Sequence, residues 1–174
     1  MQRAITTFTT AALALALSAS MGVAQAKSIS QKAEADQTIV MSDSDPAMQK
    51  AFDQARKTLP EFLQKAAQPA PGTDTYMLKV GLTDGKHTEY FWVGDFERQG
   101  EQYQATLANT PNTVRGYRNG QRISFQPGQI VDWMFLEPGK KRMHGNFTAC
   151  ALLSKEPPKE AAAFKKQYGL SCAD

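Results

Sequence analysis

Apolar positions along this chain change their period in a way that separates a helical half from a sheet half. Over residues 44–67 they recur at alternating steps of four and three. Met48, Phe52, Ala55, Leu59 and Phe62 therefore share one stripe, the pattern of an amphipathic helix facing a core. Ser44 or Asp45 can cap that helix, and Pro46 suits its first turn. Pro60 is expected to break or bend it around Thr58-Leu59, with a second short turn of helix running to about Ala67. The stretch "QPAPG" at 68–72 is a stop signal.

From Asp74 the period becomes two. Tyr76, Leu78, Val80 and Leu82 alternate with Met77, Lys79 and Gly81, which describes a half-buried strand. Asp84-Gly85 is a hairpin signal, and the returning strand places Phe91 and Val93 on one face and Tyr90 and Trp92 on the other. A third strand aligns Tyr103, Ala105 and Leu107. Residues 109–120 read as a loop, with a possible short strand before Asn119-Gly120. "QRISF" and "QIVDWMFLE" flank Pro127-Gly128 and are expected to form a further hairpin, giving an antiparallel meander of about five strands that ends at "EPGKK". The tail reads as one short helix in "NFTACALL" and a longer one started by Pro157 or Pro158 and stopped by Gly169.

The first residues change the picture of where such a domain works. A short basic start is followed by an Ala/Leu-rich apolar stretch and then by Ala24-Gln25-Ala26, the small-x-small pattern of a signal peptidase site. The strongly apolar part, residues 11–17, is far shorter than the roughly 20 residues a membrane span needs. Residues 1–26 are thus expected to be a signal peptide cleaved after Ala26, placing the protein in the periplasm or outside the cell. Residues 27–43 form a flexible lead-in with a possible short strand at 37–41, and residues 44–174 form one domain with a C-terminal helical extension. Arg3 is the only charged residue in the leader, so the net charge of +3 falls to +2 on cleavage. That balance, with export, argues against a nucleic-acid partner. Cys150 and Cys172 are the only cysteines, and in an oxidising compartment they read as a disulfide.

Familiar catalytic signatures are missing: there is no GxSxG elbow, no phosphate-cradling glycine loop and no HExxH zinc pair. No metal or other cofactor is expected. Asp132 interrupts the apolar run "IVDWMF", where period two puts it on a face with Ile130 and Met134, opposite Val131, Trp133 and Phe135. A buried carboxylate must be paired or hydrogen-bonded. The simplest role for Asp132 is an acceptor that ties a neighbouring loop to the sheet; ligand contact and catalysis are the alternatives. Asp95, at a strand end after "WVG", is the other carboxylate that could take part in acid–base work. If the domain binds a ligand, the candidates are Trp92, Asp95, Asp132, Trp133, His144 and Asn146. The basic clusters Arg115, Arg118, Arg122 and Lys140, Lys141, Arg142 lie at connections and read as solvated, with an anionic partner as the alternative. "NFT" at Asn146 matches a glycosylation acceptor formally, but the leader has a bacterial character.

In this order, "DPAMQKAFDQARKTLPEFL", "FWVGDF", "TLANTP", "NGQRISF", "IVDWMF" and "GNFTACALL" resemble the DUF2314 family of YegJ-like bacterial proteins, over residues 44–154. Asp132-Trp133-Met134 followed by an aromatic is the most specific piece of the resemblance. Family members usually have Gly-Tyr-Thr where this chain has Asn146-Phe147-Thr148 after Gly145, a departure that removes one hydroxyl. The tail with its cysteine pair looks like a variant suited to export. The resemblance implies a fold and no reaction.

Together these readings give an α+β domain: a curled antiparallel sheet of about five strands, an N-terminal helix packed on it, and C-terminal helices. Two functions compete. One is a monomeric, non-enzymatic module binding an envelope protein or polymer. The other is a small hydrolase using Asp95 and Asp132. A pocket where both carboxylates converge would favour the enzyme, and an open aromatic surface would favour the binder.

Overall fold

The structure is a computed structural model in which residues 42–172 are described. The expected signal peptide and the strand candidate at 37–41 lie outside them.

Helix α1 (Pro46–Ala67) is capped by Asp45, whose carboxylate accepts from the Ala47 N–H at 2.8 Å. It does not break at Pro60. Pro60 removes one ladder hydrogen bond, but the turns on either side are held by tertiary contacts. Phe62, 1% exposed, stacks on Trp133 with ring centroids 4.9 Å apart, and the Trp133 indole N–H donates to the Ala55 carbonyl and the Thr58 hydroxyl. Packing beyond the proline keeps the chain helical, which no local signal reports.

The sheet is built from β1 (Asp74–Thr83), β2 (Thr88–Gln99), β3 (Gln102–Leu107), β4 (Arg122–Phe125), β5 (Ile130–Glu137) and β6 (Arg142–Gly145). It has six strands rather than about five, in the order β4-β3-β2-β1-β5-β6, with every pair antiparallel. The expected hairpin between "QRISF" and "QIVDWMFLE" is absent. β5 pairs with β1 instead, and its own hairpin partner is β6, beyond the point where the meander was expected to end. β4 and β5 are four strand spacings apart, roughly 19 Å in a flat sheet. The link from Phe125 to Ile130 reaches about 17 Å at full extension. The sheet must curl to close that gap. Gln129 fixes the turn, accepting from the Gln126 N–H and donating to the Gly81 carbonyl of β1. No strand forms before Asn119; the 109–120 segment is irregular.

The concave face carries the main core, including Leu78, Val80, Phe91, Val93, Ala105, Leu107, Ile130, Trp133 and Phe135, with Ala55 and Phe62 of α1 packed into it. Helices α2 (Phe147–Leu153) and α3 (Pro158–Tyr168) follow β6. Ala149, Leu153, Ala161, Phe164 and Leu170 form their shared cluster. The Cys150–Cys172 disulfide, with Cα atoms 5.6 Å apart, ties the chain beyond α3 back to α2. Gly169 ends α3 in the left-handed conformation.

Candidate functional site

A one-residue irregularity in β5 determines where Asp132 points. Lys79 pairs with Asp132 but Val80 pairs with Ile130, so Val131 is an extra residue, a β-bulge. The bulge overturns the simple alternation. Ile130 joins Trp133 and Phe135 in the main core, while Val131 packs with Met48 and Phe52. Asp132 comes to lie beside Lys79, on the face opposite that core.

Asp132 is 0% exposed, and both its oxygens are filled. Oδ1 accepts from the Trp133 and Phe147 N–H groups at 2.8 and 3.3 Å. Oδ2 accepts from the Thr148 N–H at 2.8 Å and from its hydroxyl at 2.7 Å. The first N–H groups of α2 would otherwise lack partners. The residue at the N-cap position, Asn146, makes no capping hydrogen bond with its side chain. A strand carboxylate does that work in its place.

The network continues through one hydroxyl. Lys79 Nζ donates to Thr148 Oγ1 at 3.0 Å and lies 5.1 Å from the centre of the Trp92 ring. Lysine, threonine and aspartate thus form a chain in which the ammonium donates to the hydroxyl and the hydroxyl donates to the carboxylate. Burial raises the pKa of Asp132, opposed by the Lys79 charge and by the donors on its oxygens. Burial lowers that of Lys79, opposed by the Asp132 charge. The four donors on Asp132 suit the carboxylate form.

The other candidates are dispersed. Trp133 is 9% exposed and belongs to the core. His144 stacks on Phe135 with centroids 4.3 Å apart, and its Nε2 is 3.2 Å from Glu137 Oε2. Asn146 holds a left-handed backbone, gives its N–H to the Trp133 carbonyl, and points its amide at the Met143 sulfur. Asp95 is exposed on β2, also with a left-handed backbone. Strand β1 lies between Asp95 and Asp132, and two strand spacings amount to roughly 10 Å. Besides Trp133, whose N–H donates to Asp132, Trp92 is the candidate that connects to it, through Lys79 and Thr148.

Sequence reasoning passed over three participants. Lys79 was visible only as an outward position of an alternating strand, and Thr148 as part of a helix. Glu89, buried, accepts from the N–H groups of Asn112, Thr113 and Val114 and so fastens the 109–120 loop to β2. Among the described residues no cluster of three or more His, Cys, Asp or Glu could hold a metal ion, and no helix is long and apolar enough to cross a membrane.

Residues 45–172 match the family described as an uncharacterized protein conserved in bacteria, DUF2314. The chain belongs to the DUF2314 family. It is 30% identical over 129 residues to the uncharacterized protein YegJ of Escherichia coli, covering 74% of this chain and 82% of that one. It is also 24% identical over 142 residues to a putative ankyrin repeat protein of Neisseria meningitidis serogroup B, covering 77% of this chain and 55% of that protein. No solved structure matches. The DUF2314 region starts at the cap of α1 and ends at Cys172, so it takes in α3 and the second cysteine, beyond the stretch the motifs made legible.

Proposed function

We propose that this DUF2314 protein is a non-enzymatic binding module of the bacterial cell envelope, exported by cleavage after Ala26 and acting as a monomer on a protein or polymer partner. The observation that carries the reading is the closed state of two buried carboxylates and a half-buried lysine. Asp132 is saturated by four donors, Glu89 by backbone N–H groups, and the Lys79 ammonium is lodged between Thr148 and Trp92. Such groups fix a surface in place. No observation favours the hydrolase reading, because Asp132 has no exposed surface and Asp95 stands two strands away.

The surface they stabilise is the convex sheet face, where Met77, Trp92, Thr106 and Met134 are each partly exposed. A partly exposed tryptophan sharing a sheet face with two methionines is the composition of a protein-recognition surface. The disulfide is compatible with an oxidising compartment.

The test is capture from envelope extract with wild type, Trp92→Ala and the remote surface variant Lys159→Ala as baits. A specific partner retained by Lys159→Ala and lost with Trp92→Ala supports the reading. Equal capture by all three baits, or a mature N-terminus still at Met1, contradicts it.

A further inference from the structure

Beyond that face, a second feature has the makings of a ligand site. An open pocket of about 460 Å³ lies where β1 and β2 meet the end of α1, a size typical of small-ligand sites. Tyr76, Met77, Phe96 and Pro69 give it an apolar and aromatic lining, and the exposed Asp95 is the acidic residue of that lining.

Both strands are irregular at this point. The β1–β5 register shifts between Asp74 and Met77, and the β2–β3 register shifts between Gly94 and Glu97. Each shift holds a non-glycine residue at positive φ, Thr75 at 52° and Asp95 at 50°, and both residues line the pocket. Bulges re-aim side chains, and a β-branched threonine in that conformation is a genuine outlier.

The polar groups around the pocket are already engaged, with one exception. The Tyr76 hydroxyl is bonded to Thr73 Oγ1, and the Thr75 hydroxyl donates to Asp74. Arg122, the cation bound to Asp95, gives one N–H to the Asp95 backbone carbonyl at 2.8 Å and another to the Glu97 carboxylate. Lys65, next to the lining residue Ala66, is bonded to Glu61 at 2.8 Å. Among the described residues nothing pairs with the Asp95 side chain.

We propose that this pocket binds an alkylammonium group, with the aliphatic stem against Tyr76, Met77 and Phe96 and the charged nitrogen at the Asp95 carboxylate. Aromatic rings and a carboxylate both favour a cation, and the apolar lining favours one carried on methylenes over a hydrated metal ion. A lysine side chain presented by another protein and a free amine share this chemistry.

The experiment is an amide-shift titration of 15N-labelled protein with n-butylammonium, with n-butanol as the neutral isostere, and with a three-residue peptide carrying a central lysine. Saturable shifts at Thr75, Gly94 and Asp95 are expected with butylammonium, with n-butanol at least about tenfold weaker. Asp95→Asn, whose asparagine tolerates the left-handed backbone, is expected to weaken butylammonium about tenfold or more. A peptide binding about tenfold tighter than butylammonium identifies a presented lysine; equal or weaker peptide binding identifies a free amine. Shifts that persist unchanged in Asp95→Asn, equal binding of n-butanol, or no saturable shift overturn the proposal. Trp92→Ala leaves the pocket intact, so this result stands apart from the capture experiment.

Discussion

Asp132 holds Thr148 twice, through its N–H at 2.8 Å and its hydroxyl at 2.7 Å, although the two residues are 16 positions apart in sequence. One carboxylate thereby caps a short helix, joins β5 to it, and orients the hydroxyl that receives Lys79. The geometry makes Thr148 testable by itself. Thr148→Ser keeps donor and acceptor and is expected to cost less than about 1 kcal/mol. Thr148→Val leaves Asp132 and Lys79 each short of a partner, and urea unfolding is expected to show a loss of about 1–3 kcal/mol. Equal stability of the two variants would break the relay.

Gly145 is fixed by the same corner of the fold. It sits at φ 75°, and a Cβ there would collide with the Trp133 carbonyl and ring. Gly145→Ala is expected to lose roughly 2–3 kcal/mol, from the strained backbone and the displaced indole together. Near-UV circular dichroism would report the disturbed tryptophan environment, and an unchanged spectrum and midpoint would count against this packing.

The bulge at Val131 explains why the helix stripe and the strand alternation were legible while the site was not. Met48, Phe52, Ala55 and Phe62 face apolar partners as their spacing implies, and Phe91 and Val93 are buried as period two requires. Periodicity carries no record of an inserted residue, so alternation alone puts Ile130 on the wrong face. Lys79 and Asp132 meet only because β5 crosses the sheet to pair with β1, a long-range choice that the Pro127-Gly128 turn does not announce. Pro60 gave a true local signal that stacking of Phe62 on Trp133 overrides.

The Cys150–Cys172 bridge closes a span with a sequence separation of 22. In the chain-entropy account such a crosslink contributes about 3 kcal/mol. The Cys150→Ser, Cys172→Ser double variant is expected to melt several degrees lower than the oxidised protein and to match the wild type under reducing conditions. Identical melting in all three states would show that α2 and α3 hold together without it.

Asp84 sets an expectation for acid. Hydrogen bonds from the backbone of His87, Lys86 and Arg115 hold its carboxyl down to about 2, below the ordinary 3.8. Its folded value is the lower one, so its contribution to stability is complete above the unfolded value and is lost as pH falls from about 4 toward 2. Asp84→Asn is expected to flatten that part of a plot of Tm against pH. An acid limb identical to the wild type would assign the loss to other carboxylates.

The central claim is that Asp132 is a structural tie with both oxygens in use, and the stability of Asp132→Asn tests it most directly. Asparagine keeps one acceptor but turns a donor toward N–H or O–H groups that already donate, so it is expected to lose roughly 3 kcal/mol, close to the loss in Asp132→Ala. Chemical denaturation of both variants beside the wild type supplies the comparison. Two similarly destabilised proteins are the predicted result. An Asp132→Asn protein as stable as the wild type would contradict the account.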